Sequence, residues 1–273
     1  MHPIYELTPA GDRYFDGMVE KFSRALYHAP RGELRLKMLD YLLPQMLNLD
    51  AQPVLDVGGG LGQQAAWFAE RGHRVTLAEP SADMLDYARD WHGERETIPS
   101  DAIRYLHAPL QALPLDVPGP WPLITCHAVL EWLGEPRAAL EHLAALLAPG
   151  GQLSLMVFNR DALRFSNAVK GNLQKALDDT LEGKGKRQRL TPISPLTHEA
   201  LTRWAEECGL RVEEVAGIRV FQDYLKNPPA SEAEDATLLA LEKRYCRQEP
   251  HWRLGRYLLY TLTKPLTQPE ADS

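Results

Sequence analysis

Cysteine is scarce in this chain. Cys126, Cys208 and Cys246 are widely spaced and odd in number, so they make neither a disulfide framework nor a metal motif. No metal site is expected, and a reducing cytoplasm is the simplest home. Long hydrophobic runs are also missing. None approaches the roughly 20 apolar residues that a membrane-spanning helix needs, so no membrane association is expected. Met1-His2-Pro3-Ile4-Tyr5-Glu6 lacks a basic segment leading into an apolar one, so no signal peptide is expected either. Positive charge is the minority sign: 30 Lys and Arg against 37 Asp and Glu give a formal net charge of −7. That argues against indiscriminate nucleic-acid binding and leaves room for a local basic face. No internal repeat is visible. What remains is ordinary globular material. The 273 residues, 44% hydrophobic and 25% charged, can bury a full core as one large domain or one domain with insertions.

The most informative segment is Leu55-Asp56-Val57-Gly58-Gly59-Gly60-Leu61-Gly62, which reads D-x-G-x-G-x-G after a short apolar run. A strand that ends in such a turn and feeds a helix lets a ligand approach the backbone, because glycine has no Cβ in the way. The spacing fits the nucleotide-binding turn of S-adenosylmethionine enzymes better than the G-x-G-x-x-G of dehydrogenases.

Around this turn the chain alternates. Residues 12–50 read as mostly helical, with Pro44 expected to kink or split the helix over Glu33–Leu49. Strands are predicted at Pro53–Asp56, His73–Ala78, Ile103–His107, Leu123–His127 and Gln152–Phe158. Helices are predicted at Gly62–Glu70, at Ala82–Trp91 behind an Ser81 cap, and near Pro136–Leu147. This rhythm predicts a parallel sheet covered on both faces. After Asn159 it breaks into an amphipathic stretch and a basic loop. A helix over Ser194–Gly209, strand-like runs at Leu210–Val215 and Arg219–Phe221, a helix over residues 232–246 and a strand at Arg256–Thr263 follow.

Two further features support the turn. Glu79 closes the second strand, where an acid can accept hydrogen bonds from both ribose hydroxyls of a nucleoside. Leu147-Ala148-Pro149-Gly150-Gly151 ends a helix and turns into the fifth strand. Taken in order, the three resemble the class I S-adenosylmethionine-dependent methyltransferases over roughly residues 30–160. The resemblance implies a doubly wound, mostly parallel seven-stranded α/β sheet, Rossmann-like, with helical insertions. His127, at the end of the fourth strand, stands where ligands bind in such sheets.

The resemblance narrows on Glu20–Arg24, Gly32–Arg35, His127–Trp132, Gly217–Leu225 and Arg244–Pro250. These strings are similar to those of the bacterial tRNA 5-carboxymethoxyuridine methyltransferases, and the similarity runs from about residue 18 to about 264. It implies S-adenosylmethionine as donor, the carboxylate of a wobble uridine as acceptor, a methyl ester as product, and the tRNA anticodon stem-loop as partner. It implies no obligatory protein partner. The family's cofactor contacts fall on Arg35, Gly58, Gly59, Glu79, Leu110, Gln111 and His127, with Asp56 and Gly60 in the same turn. An Arg over the cleft suits a methionine carboxylate, as a bidentate pair. Two positions depart from the family: it has Asp where this chain has Glu79, and a more continuous lysine run where this chain has Lys184–Arg189.

A carboxylate acceptor is ionised at neutral pH and needs no general base, so no catalytic triad is expected, and the sequence shows none. Candidates for positioning the acceptor are Arg219, Tyr224, Arg244, Tyr245 and Arg247. Candidates for RNA phosphates are Lys184, Lys186, Arg187 and Arg189 in the basic loop, with Lys170 and Lys175 before it. A second basic segment, Lys243–Tyr257, interleaves cations with Tyr245, Trp252 and Tyr257, which can stack unpaired bases. The expected organisation is a helical cover over residues 1–50, a cofactor-binding core over 51–159, the rest of the sheet with basic insertions over 160–264, and a polar tail over 265–273, within one domain. Two rival readings stay open: a methyltransferase for a small acid or quinone precursor, and a non-catalytic cofactor-binding partner of an RNA-modifying enzyme.

Overall fold

A computed structural model describes residues 11–24, 29–50, 52–113, 119–182 and 191–266. Seven strands form one sheet: β1 (Val54–Val57), β2 (Val75–Glu79), β3 (Ile103–His107), β4 (Trp121–His127), β5 (Leu147–Phe158), β6 (Arg211–Ile218) and β7 (Tyr257–Thr263). Their order is β3-β2-β1-β4-β5-β7-β6. The first five are parallel, and β7 runs antiparallel to both of its neighbours. Chain order reverses between β1 and β4, so a crevice opens at the carboxyl ends of those two strands.

Nine α-helices are present among the described residues: α1 (Val19–Phe22), α2 (Pro30–Met46), α3 (Gln63–Ala69), α4 (Ala82–Gly93), α5 (Pro136–Leu146), α6 (Arg160–Val169), α7 (Leu173–Leu177), α8 (His198–Glu207) and α9 (Glu232–Tyr245). Side chains alternate across a strand, and the sheet sorts them into two cores. Leu55, Val57, Ile124 and Cys126 pack with Leu140 and Leu143 of α5 and Leu201 of α8. Val54, Leu77, Leu123 and Met156 pack with Met38 and Leu42 of α2, Phe68 of α3, Ala88 of α4 and Leu238 of α9.

Four local expectations are corrected. Helix α2 is not split: it continues through Pro44 to Met46, although the missing Pro44 N–H leaves the Asp40 carbonyl without its helical donor. Residues 11–17 are not helical, and α1 is a single turn. The Leu-x-Pro-Gly-Gly turn lies inside β5 as a bulge, between the pairs Trp121–Leu147 and Leu123–Gln152. A Cβ on Gly151 would stand 2.9 Å from the carbonyl oxygens of Ala148 and Trp121, so only glycine fits there. Finally, Arg219–Phe221 is not a strand. Arg219 takes a left-handed φ of 61°, and the N–H groups of Val220, Phe221 and Gln222 donate to the Glu242 carboxylate at 2.7, 2.9 and 3.0 Å. A carboxylate from α9 has captured the donors that a strand would have given to its neighbour.

Candidate functional site

The crevice at the ends of β1 and β4 is a cleft whose floor is the glycine turn. Asp56 is 2% exposed at the end of β1 and accepts the Thr125 hydroxyl at 2.8 Å. The Gly58 N–H donates to the Ala78 carbonyl at 2.7 Å, which ties the turn to β2. Gly58 has φ 65°, and a Cβ added there would overlap the Val129 side chain. A Cβ on Gly59 would lie 2.8 Å from both Asp56 Oδ2 and Leu77 Cγ. The backbone is thus presented bare, and side chains could not replace it without moving the floor.

Glu79 holds this turn from the side. Its Oε2 accepts the Gly60 N–H at 2.9 Å and its Oε1 accepts the Ser81 N–H at 3.0 Å. The longer Glu side chain thereby bridges two loops. Each oxygen keeps a lone pair for a ligand hydroxyl. His92 braces the same turn from below. Its ring lies 2.9 Å from the Gly62 carbonyl through Nε2 and 2.8 Å from the Tyr105 hydroxyl through Nδ1. A neutral ring protonated on Nε2 satisfies both, and burial lowers its pKa accordingly.

The roof comes from the N-terminal segment and α2. Asp12 accepts the Gly134 N–H at Oδ1 and the Gln111 side-chain amide at Oδ2, both at 2.9 Å. The Arg13 N–H donates to the Trp132 carbonyl at 2.8 Å. These contacts draw residues 12–15 across the cleft. Arg35, 7% exposed on α2, reaches into it and lies 5.9 Å from the Tyr257 ring centroid. Leu110 is buried in the wall, while Gln111 is exposed at its edge.

Two further groups face the cleft. His127 Nε2 is 2.9 Å from Ser154 Oγ, and its Nδ1 has no partner among the described residues. Burial, and then the positive charge of Arg35, push its pKa down to about 3, so the ring is neutral. Glu131 is 1% exposed, and burial pushes it up to about 8 although Arg35 pulls the other way. Burial also raises Asp56 to about 6 and Glu79 to about 7. A bare glycine backbone flanked by Asp56 and Glu79, with Arg35 and Glu131 interacting elsewhere on the wall, suits a ligand of mixed charge. Such a ligand brings hydroxyl donors and a cation to the acids and a carboxylate to the Arg.

The cofactor residues predicted from sequence, Arg35, Asp56, Gly58, Gly59, Gly60, Glu79, Leu110, Gln111 and His127, all line this one cleft. The acceptor candidates do not. Arg219 is locked in a bidentate pair with Asp223 at 2.6 and 2.9 Å. The Tyr224 hydroxyl donates to the Leu254 carbonyl at 2.8 Å, and burial pushes its pKa above the ordinary tyrosine range. Tyr245 packs between Phe221 and His251, and Arg247 pairs with Glu214. Arg244 is exposed beside Tyr245. Lys184, Lys186, Arg187 and Arg189 lie outside the described residues. Sequence reasoning passed over His92, Asp12 and the buried acid Glu131. The last stands inside the family-like string His127–Trp132, which was the one signal that could have found it.

A family model described as a methyltransferase domain matches residues 27–215. The tRNA 5-carboxymethoxyuridine methyltransferase of Escherichia coli K12 is 41% identical, over 93% of this chain and 97% of that protein. The ubiquinone biosynthesis O-methyltransferase of Coxiella burnetii is 30% identical, over 68% of this chain and 73% of that protein. Among solved structures, an S-adenosylmethionine-dependent methyltransferase from Mesorhizobium loti superposes with a TM-score of 0.57 at 16% identity, covering 87% of this chain and 99% of that one. The glycine turn, the sheet order and these matches together make the chain a member of the class I S-adenosylmethionine-dependent methyltransferase family.

Proposed function

We propose that this chain methylates the carboxylate of 5-carboxymethoxyuridine at the wobble position of tRNA, using S-adenosylmethionine and giving the methyl ester. The observation that carries the reading is the extent of the match to the Escherichia coli enzyme of that name. It spans 93% of the chain, whereas the general methyltransferase model stops at residue 215. The segment beyond 215 holds most of the C-terminal third, where an acceptor of this size would need contacts.

The cleft fits the cofactor on its own geometry. When bound, S-adenosylmethionine would supply a sulfonium methyl group to an acceptor carboxylate, the S–CH3 bond breaking as the O–CH3 bond forms and the neutral thioether leaving, with no proton changing hands. Glu79 would hold the ribose hydroxyls on its remaining lone pairs. Arg35 would take the methionine carboxylate. Gly58 and Gly59 would let the backbone approach it, as the absence of room for a Cβ requires. Leu110 would pack on adenine and Gln111 would use its amide oxygen, since its nitrogen is engaged by Asp12. His127, neutral and fixed on Ser154, is a poor base at physiological pH, which agrees with an acceptor that needs none. The chain's work is alignment and exclusion of water from the carboxylate. For tRNA, the exposed Phe165, Arg31 and Lys170 gather around Tyr224 and Asp223 and would offer stacking and charge.

The test is transfer from labelled S-adenosylmethionine to tRNA from cells lacking this protein, followed by nucleoside analysis. A labelled, base-labile ester of 5-carboxymethoxyuridine is the expected product. Cofactor binding with no label in tRNA would refute the assignment.

A further inference from the structure

A second concentration of charge lies beside the cleft and is not used by any cofactor contact. It forms where β5 ends at Phe158 and β7 begins at Tyr257, two rings that line the cleft and meet edge-to-face at 5.6 Å. Arg256 immediately precedes Tyr257. Its guanidinium lies over the face of Phe158, with Cζ 4.3 Å from the ring centroid. Among the described residues no carboxylate stands within 4.0 Å of that guanidinium.

The acid whose charge reaches Arg256 is Asp223, and Asp223 is occupied. It pairs bidentately with Arg219, both side chains being under 10% exposed, and Arg31 Nε stands 3.8 Å from it. Glu242, the other acid of this neighbourhood, is turned into the backbone N–H groups of Val220, Phe221 and Gln222. Lys170, at the end of α6, is exposed and interacts electrostatically with Arg256, Asp223 and Arg31. Four cations therefore surround one engaged carboxylate. Burial, with some repulsion from Arg219, holds Arg256 below the ordinary guanidinium range. Burial and then Arg256 lower Lys170 in turn. The cluster is short of negative charge, and it sits on the rim of a cleft built for methyl transfer.

We infer that Arg256 is the positioning residue for the acceptor's carboxylate, with Arg31 and Lys170 as the outer cations that draw the anionic nucleotide in. The inference rests on the acceptor proposed above. Three features favour a carboxylate at Arg256 rather than an RNA phosphate. Arg256 is sheltered on the cleft rim, whereas Arg31 and Lys170 face outward toward solvent. The guanidinium rests over the Phe158 face, Cζ 4.3 Å from the ring centroid, and its forked N–H groups match a planar carboxylate bidentately. The field of Asp223 tempers the cation, so a carboxylate held there keeps electron density for attack. Arg219, one of the acceptor candidates that the sequence offered, is excluded by its closed pair.

The test compares two tRNAs that differ only at the wobble base, one carrying 5-carboxymethoxyuridine and one carrying 5-methoxyuridine, which lacks the carboxylate. Wild type should bind the first more tightly and methylate only that one. R256Q should lose that binding preference and drop in kcat/KM by about 10- to 100-fold, the scale of one charge-assisted contact. Its affinity for S-adenosylmethionine and its thermal unfolding should stay at wild-type values. R256K should recover part of the preference, and K170A or R31A should weaken both tRNAs alike. If R256Q weakens both tRNAs equally, Arg256 meets a phosphate and the inference is overturned. If R256Q keeps the full preference, the carboxylate is seated elsewhere, and the inference fails while the proposed reaction stands. A wild-type enzyme that methylates neither tRNA overturns the proposed reaction and the seat together.

Discussion

Glu79 should make cofactor affinity depend on pH in a calculable way. In the ligand-free cleft, burial lifts it from an ordinary 4.5 to about 7, against the pull of the Ser81 and Gly60 N–H groups. Ribose hydroxyls that donate to the carboxylate, and a sulfonium nearby, favour its ionised form. Binding therefore lowers the pKa and releases a proton wherever the free group is protonated. At pH 6 about one Glu79 in eleven is ionised, and at pH 8 about ten in eleven. Apparent affinity should then rise roughly tenfold between pH 6 and pH 8. Asp56, raised to about 6, and Glu131, raised to about 8, titrate nearby, so the quantity to read is the difference between wild type and E79Q. Calorimetric titration in two buffers of unlike ionisation enthalpy measures affinity and proton release together. E79Q should bind weakly at pH 8, with a flatter pH profile and less proton release near pH 6.5. A wild-type affinity constant from pH 6 to pH 8, or an E79Q profile as steep as wild type, would refute the reasoning.

Glu131 gives a stability prediction with a defined sign. Its folded-state pKa is raised from 4.5 to about 8, so the folded chain holds the extra proton between those values; this stability is full below 4.5 and is lost as pH rises through 8. E131Q should therefore unfold at a higher temperature than wild type at pH 9, by the equivalent of about 5 kcal/mol, and match it near pH 4. Equal melting points at pH 9 would count against it. G58A places a Cβ at φ 65° and into Val129, so it should lose about 1 to 2 kcal/mol of stability and bind the cofactor more weakly. V129A in the same background should restore part of the loss, as thermal unfolding and titration would show. Breaking the buried Arg219–Asp223 pair with D223N should cost about 3 to 5 kcal/mol, measured by denaturant unfolding, while the double variant R219Q/D223N costs less than D223N alone. A D223N variant as stable as wild type would make the pair dispensable.

Much of the scaffold was legible because its signals are local. Ile103–His107 is the third strand over the predicted residues, and Ser81 caps α4 through its hydroxyl as its residue type suggests. The expected alternation of strand and helix through residue 158 is that of the sheet. Two of the misreadings share one cause: a long-range contact overrode a local preference. Arg219–Phe221 has strand-like composition, yet Glu242, about 20 positions later, takes its N–H groups. The Pro-Gly-Gly turn looked like an entrance to β5 and became a bulge within it, because Leu147 already pairs with Trp121.

The sequence by itself determined the family, the sheet and the glycine floor of the cleft. Those depend on backbone freedom, periodicity and short spacings that a linear text preserves. Only the tertiary structure decided which charges are available. In sequence Arg219 is a candidate for positioning the acceptor, and Arg256 is one more cation of a basic segment. In the fold, Asp223 closes Arg219 into a buried pair, while Arg256 lies over Phe158 with no carboxylate in salt-bridge range among the described residues. Likewise Glu131 is one acid among many until burial lifts its pKa. Charge compensation and desolvation are set by neighbours that the chain brings together from far apart, and no spacing in the sequence encodes them.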